Sequence, residues 1–331
     1  MAIQWGIAGA GKISNDFVNA LKVCPDGHHN VVAVAAASSL VRAQKFADEH
    51  NIPIACGSYE LLAINPTIEI VYVSSLNPQH FENTKLFLEH GKAVLCEKPL
   101  CLNFSQAEEL IMLAKKKNLF LMEGLWSRSF PVYKELVEHL KKGTIGKVLF
   151  VEAQMGRKLD VERLKLKQLG GGTVLDLGVY VLQLAVLVFG HKYISVQALG
   201  HLNEEGVDDS MSCIITYPEH GIAVLSTHTK AELPNSAFIV GTLGTIKIEN
   251  PFWKSTKITV LGEEKEFPLP LTNDKFNFSN GVGLSYEAEE VRRCLLSGLK
   301  ESPLASHEDS LALARLEDTI RSQLGVTFSQ E

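Results

Sequence analysis

The sequence lacks an excess of positive charge. Its 32 Lys and Arg stand against 38 Asp and Glu, a formal net charge of −6 over 331 residues, and a nucleic-acid partner would want a basic face. It also lacks cysteine pairs: Cys24, Cys56, Cys96, Cys101, Cys213 and Cys294 include no C-x-x-C and no Cys/His group at zinc spacing. That pattern is expected of reduced, buried thiols, without a disulfide framework or a bound metal. The opening residues, Met1-Ala2-Ile3-Gln4-Trp5-Gly6-Ile7, have no basic stretch and no cleavage site. No apolar run reaches the ~18 residues of a membrane span, the nearest being Val179 to Phe189. Internal repeats and low-complexity segments are missing too. These absences together point to a cytoplasmic protein with neither a membrane nor a nucleic acid as partner.

What is present is a strict alternation over the first 125 residues. Apolar strands are expected at Ile3–Ala8, Val31–Ala37, Ile68–Ser74, Ala93–Cys96 and Leu119–Met122. Between them lie helical patterns at Ser14–Val23, Arg42–His50, Phe81–His90 and Ser105–Lys117, the last opened by Ser105 and Glu108 as a capping box. Continuous apolar strands alternating with helices imply a parallel sheet covered on both faces, a doubly wound Rossmann domain over 1–125. The texture changes over 126–331. After a helix at Val132–Lys141 and a long apolar helix at Thr173–Phe189, short strands follow at Ile194–Leu199, Met211–Tyr217, Ile222–Thr229, Phe238–Val240, Thr245–Ile248 and Lys257–Leu261. Val148–Gln154 adds an extended segment, and helices at Tyr286–Leu296 and Glu308–Leu324 close the chain. The second domain is therefore expected to be an open, mostly antiparallel sheet with C-terminal helices.

The first strand runs into Gly9-Ala10-Gly11-Lys12-Ile13-Ser14. Gly9 suits the tight turn and Gly11 a close approach to a pyrophosphate at a helix N-terminus; Ser14 stands where G-x-G-x-x-G has its third glycine. After the second strand, Ser38-Ser39-Leu40-Val41-Arg42 offers hydroxyls and an arginine where an enzyme using NAD usually has an acid. That favours NADP, whose 2′-phosphate an arginine can fork.

Two further motifs are expected to meet the cofactor and substrate. Cys96-Glu97-Lys98-Pro99 follows a strand, so Lys98 is held at a strand end by a following proline. Gly170-Gly171-Gly172 precedes Asp176 and Tyr180, which lie four apart on one helix face. The glycines suit close approach of a ligand to backbone. Oxidising a carbinol needs a base for its hydroxyl proton. A phenol titrates near ~10, and the Lys98 ammonium would favour its phenolate. Asp176 could orient Lys98 or accept a substrate hydroxyl. His80, after a Pro-containing turn, is a candidate contact to cofactor or substrate, with a helix N-terminal residue facing solvent as the alternative; Tyr72, near the end of the third strong strand, is a candidate cofactor contact, with packing as the alternative. Trp126, Trp253 and Phe278 are candidates for an aromatic substrate pocket, or for core packing.

With these motifs the whole chain resembles the glucose-fructose oxidoreductase (Gfo/Idh/MocA) family: the partial glycine motif, Asn77-Pro78-Gln79-His80, Glu97-Lys98-Pro99, Gly170 to Tyr180 and the sheet domain. Most of that family has D-x-G-x-H where this chain ends in Tyr180. Tyr180, Trp126-Ser127-Arg128 and Ser285-Tyr286-Glu287-Ala288 resemble one branch of it. The resemblance implies NADP, with contacts also from Asn77, Glu97 and Arg128, a Lys98 that touches nicotinamide ribose and substrate, and Tyr180 as acid/base. It implies oxidation of trans-dihydrodiols of aromatic hydrocarbons to catechols and of pyranoses such as D-xylose, by a homodimer paired through the C-terminal sheet. Another sugar or polyol dehydrogenase of the family and a non-catalytic NADP-binding regulator stay open as alternatives.

Overall fold

The computed structural model describes residues 2–37 and 39–328. The chain forms two compact units: Met1–Cys101, Ser105–Trp126 and Leu269–His307 make the first, and Leu102–Phe104, Ser127–Pro268 and Glu308–Glu331 the second. The first is built by β1 (Ile3–Ala8), α1 (Lys12–Leu21), β2 (His29–Ala35), α2 (Leu40–His50), β3 (Ile54–Cys56), α3 (Tyr59–Ala63), β4 (Ile70–Val73), α4 (His80–Glu89), β5 (Ala93–Glu97), α5 (Phe104–Lys117) and β6 (Leu121–Gly124). All strands are parallel, in the order β3-β2-β1-β4-β5-β6. Every residue of β4 is buried, as a strand covered on both faces must be. The expected strands and helices recur within a few residues. The sequence reading missed β3 and α3, a three-residue strand and a five-residue helix, too short to show a period. Ser105 does not cap α5. The helix begins at Phe104, whose N–H donates to Asp318 Oδ2 at 2.9 Å.

The second unit starts with α6 (Pro131–Lys141) and β7 (Val148–Gly156), then α7 (Glu162–Lys165), a π-wound segment Val174–Gly178 and α8 (Val179–Phe189). Seven strands follow: β8 (Ser195–Leu202), β9 (Asp208–Thr216), β10 (Ile222–His228), β11 (Ala237–Gly241), β12 (Gly244–Ile248), β13 (Lys257–Val260) and β14 (Glu263–Glu266). The sheet order is β14-β13-β12-β11-β7-β10-β9-β8, with β7 and β10 parallel and every other pair antiparallel. Alternation sorts its faces: Met211, Cys213 and Ile215 of β9 are buried while Ile214 between them is exposed. α8 packs across β7 and β10. The helical run Lys167–Phe189 is longer than the apolar stretch read from sequence. By length and composition it is apolar enough to cross a membrane (mean hydropathy 1.9), but 83% of that window is buried inside the protein, the environment of a core helix. β14, Glu-Glu-Lys-Glu, is fully exposed and has no apolar alternation to betray it.

The chain then returns. Residues 269–307, which the sequence reading placed in the second domain, belong to the first unit and carry α9 (Leu284–Leu296); α10 (His307–Leu324) closes the second. The return is held at α1. Asp16 is 0% exposed, and its carboxylate accepts the N–H groups of Asn277 (2.8 Å) and Phe278 (2.8 Å) and the Asn277 side-chain amide (2.8 Å).

In the second unit another buried carboxylate seats the start of the π segment. Asp208 Oδ2 accepts the Val174 N–H at 2.6 Å, and a Cβ on Gly172 would lie 2.3 Å from Asp208 Oδ1. A Cβ on Gly171 would lie 2.8–2.9 Å from the carbonyl oxygens of Leu164, Leu166 and Arg163. Gly171 and Gly172 therefore admit protein at the positions where the sequence suggested a ligand. Burial pushes the Asp208 carboxyl up to about 6, against the donors of the helix start.

Asp16→Ala should remove the acceptor of two part-buried backbone donors and cost about 2 kcal/mol of unfolding free energy in urea titration; an unchanged midpoint would remove this anchor. For Asp208, whose folded pKa is raised, the stability it lends is complete below pH 3.8 and is lost as pH rises through about 6. Asp208→Asn should flatten the stability profile across that window, and an identical slope in the variant would show that other groups set it.

Candidate active site

In a parallel sheet every carboxyl end faces one way, so the segments after β1, β2, β4 and β5 share one edge of the first unit. The order reverses between β1 and β4, which opens the crevice where open α/β sheets bind ligands. Gly9 sits there at φ +126°, and a Cβ would lie 2.7 Å from Ser74 Oγ; only glycine lets β1 turn this close to the end of β4. Gly11 caps α1 without a side chain, and a Cβ there would meet nothing within 4 Å. The space over Gly11 and the free N–H groups of α1, beside Lys12 and Ile13, form a cradle that fits a dinucleotide pyrophosphate. Ser14 replaces the third glycine without loss: its Oγ lies 2.6 Å from Ser74 Oγ.

At the end of β2, Ser38 lies outside the described residues. Ser39 Oγ accepts the Arg42 N–H at 3.3 Å and so caps α2, leaving the Arg42 side chain exposed. Asn77 follows β4 and is half-buried.

Lys98 follows β5, half-buried, and the turn beneath it is braced from several sides. Glu97 accepts the Tyr72 hydroxyl, Glu123 Oε1 accepts the Leu100 N–H at 2.9 Å, and His80 is 1% exposed with Nδ1 2.7 Å from the Pro99 carbonyl and Nε2 3.0 Å from that of Ser75. His80 and Tyr72 were expected as cofactor contacts. Both ring nitrogens of His80 are committed to backbone, and burial lowers its pKa. Tyr72 is 0% exposed and stacks on Phe17 at 3.9 Å, so it is a packing residue. Burial, then the charge of Glu97, holds its hydroxyl far above the usual phenol range. Glu287 on α9 is also 0% exposed, with neither carboxyl oxygen hydrogen-bonded among the described residues; burial, then the charge of Glu97, pushes its pKa well above the usual carboxylate range. Trp126 is buried and Phe278 40% exposed.

In the second unit Asp176 lies in the π-wound segment and Tyr180 in the first turn of α8, so the uniform α-helix expected from Thr173 changes winding between them. Wide turns of this kind collect at functional sites. Tyr180 is 7% exposed, and its ring centroid is 6.2 Å from that of Trp253. Asp176 is 6% exposed and held in a fork by Arg163: Nη1 to Oδ1 at 2.8 Å and Nη2 to Oδ2 at 3.2 Å. Arg163 was not among the residues singled out from sequence. The signal would have been a buried acid in an apolar helix, which demands a cation. Arg128, expected at the cofactor, is 4% exposed and donates to Gln183 Oε1 (2.5 Å) and to the Gln183 carbonyl (2.7 Å). Gln183 in turn donates to Tyr133 Oη at 3.0 Å. This arginine braces α8.

All six cysteines are buried and none is in a disulfide. Cys24, His29 and Glu289 bring ligand atoms within 4.8 Å of one another, a group that the sequence spacing did not show. The Trp5 indole N–H donates to His29 Nδ1 at 3.1 Å, so a neutral His29 carries its proton on Nε2, which faces Glu289 Oε1 at 2.8 Å. That nitrogen is a donor to carboxylate and has no lone pair for a metal.

Comparison with known proteins matches this two-part architecture. A family model described as the oxidoreductase family with NAD-binding Rossmann fold covers residues 3–125, and the GFO/IDH/MocA C-terminal domain model covers 133–247. The chain is 50% identical to the Xenopus tropicalis protein named trans-1,2-dihydrobenzene-1,2-diol dehydrogenase, over 99% of this chain and 100% of that one. It is 46% identical to the Danio rerio protein of the same name, over 100% and 99%. Among solved structures it is similar to a 3-ketoreductase from Actinomadura kijaniata in complex with NADP (TM-score 0.81, 25% identity, 98% of each chain). It shares its fold with an aldose-aldose oxidoreductase from Caulobacter crescentus (TM-score 0.83, 22% identity, 98% and 97%). A glycine cradle at the switch of a parallel sheet, a braced lysine beside it and full-length likeness to these enzymes lead to one assignment: the chain is a nicotinamide-binding oxidoreductase of the Gfo/Idh/MocA family.

Proposed function

We propose that this enzyme oxidises trans-dihydrodiols of aromatic hydrocarbons to catechols with NADP, and D-xylose to its lactone as a second reaction. The observation that carries the reading is the 50% identity, end to end, with the Xenopus tropicalis dihydrodiol dehydrogenase. The bound nicotinamide would accept the hydride from the carbinol carbon. The chain's own residues would manage the proton: Tyr180 takes it from the hydroxyl, and the Lys98 ammonium favours the phenolate and the developing alkoxide. The ketone so formed tautomerises to the catechol. Both substrates are secondary carbinols with a neighbouring hydroxyl, so one site serves both. NADP over NAD is supported by Arg42, exposed at the end of β2 with no acid before Asp48. In this reading Gly9, Gly11, Lys12, Ile13, Ser39, Arg42 and Asn77 hold the cofactor, and Trp126, Trp253 and Phe278 are each an aromatic contact for the substrate.

A cytoplasmic location is part of the proposal, supported by the six free thiols. So is a homodimer: the outer face of the second unit's sheet exposes Leu199 (82%), Ile214 (47%) and Ile222 (38%), and a second copy would cover them. A monomer in sedimentation would refute the pairing.

Purified protein should reduce NADP faster than NAD with trans-benzene dihydrodiol and with D-xylose, followed by nicotinamide absorbance. Activity on myo-inositol alone would move it to another branch of the family, and binding of NADP without turnover of any of the three would make it a regulator. Tyr180→Phe should lower kcat by ~100-fold or more with NADPH affinity nearly intact; near-normal turnover would place the base elsewhere.

A further inference from the structure

We infer that Arg163 is the positioning residue through which Asp176 reads the second hydroxyl of the substrate, and so a determinant of diol specificity. The inference rests on the diol-oxidising reading above and adds a residue to it. Asp176 is 6% exposed in an apolar stretch, and a carboxylate so placed is stable as an anion only with a partner. Arg163 supplies it, with one guanidinium N–H on each carboxylate oxygen at 2.8 and 3.2 Å. The fork fixes the plane of the carboxylate. The side chain of Arg163 is itself 39% exposed, so this pair lies where the second unit opens to solvent. Asp176 stands four residues before Tyr180, the proposed base. A vicinal diol presents a hydroxyl to each: the reacting one to Tyr180, its neighbour to Asp176.

The glycine run is what brings Arg163 there. The N–H of Gly171 donates to the Leu166 carbonyl and that of Gly172 to the Leu164 carbonyl, each at 3.1 Å. A Cβ on Gly171 would lie 2.9 Å from the carbonyl oxygen of Arg163. α7 thus lies directly on the glycines at the start of the π segment. Any side chain at position 171 must push α7 and its arginine away from Asp176. Arg163 and Gly171 are in this sense one device, with two independent ways to break it.

The test uses the full-length enzyme and four measurements: kcat and KM for trans-benzene dihydrodiol, inhibition by the mono-alcohol cyclohexenol, and NADPH affinity. Arg163→Ala should raise KM for the diol by roughly tenfold or more, with cyclohexenol inhibition and NADPH affinity changed by no more than about twofold. Added guanidinium ion should restore the diol KM of Arg163→Ala, and Arg163→Lys should recover less than the ion does, because an ammonium cannot fork. Gly171→Ala should reproduce the rise in diol KM without being rescued. The inference is overturned if Arg163→Ala and Arg163→Lys keep the wild-type diol KM, or if diol KM, cyclohexenol inhibition and NADPH affinity all worsen together, the mark of a structural role. If the wild-type enzyme oxidises no diol while reducing NADP with another polyol, the diol reading falls and this inference with it.

Discussion

A chain that leaves a folded unit and later rejoins it needs a fixed point of return, and here that point is a single carboxylate. Asp16 sits in the middle of α1 with no exposed surface and grips the backbone of Asn277 and Phe278. A charge there would be costly without donors, and the returning loop is the source of them. The same α1 offers its N-terminus to the cofactor. One helix thus anchors the cradle at one end and, along its side, the segment that delivers α9. Glu287 on α9 is fully buried in the same unit, and the charge of Glu97 is among the causes that raise its pKa.

In the second unit the governing constraint is close backbone approach. Gly171 and Gly172 leave no room for a Cβ because α7 lies on one and Asp208 beneath the other. Two carboxylates therefore serve the same short helix start in opposite ways. Asp208 is buried, seats the first N–H and holds its proton more tightly than usual. Asp176 is paired with a guanidinium. Environment separates two chemically identical groups: one holds a helix start, the other a guanidinium.

The parallel strands and their order of chemistry were legible in the sequence because a strand covered on both faces writes itself as an unbroken apolar run: Ile3–Ala8 was found to the residue. The positions after β1, β2, β4 and β5 followed from the alternation. What stayed hidden depends on partners distant in the chain. His80 reads as a ligand until Pro99 and Ser75 claim its nitrogens, and Tyr72 until Phe17 and Glu97 enclose it. A glycine run says that something approaches closely without saying what. β14 failed for the opposite reason: four exposed polar residues carry no hydrophobic pattern, and their charge suits an edge strand that must not pair with another chain.

The return of residues 269–307 has a consequence for biosynthesis. The six strands of the first unit have all been synthesised once residue 124 is made, yet the segment bearing α9 follows only after residues 127–268. At 5–20 residues per second the nascent sheet waits roughly ten to thirty seconds for its last helix. Throughout that interval α1 is uncovered on the side where α9 and the 276–283 loop will pack. The second unit, whose sheet is complete by residue 266, has its strands in place before the first can close. The second unit must in turn wait for α10, the last helix made, so each unit is completed only by a helix from the end of the chain.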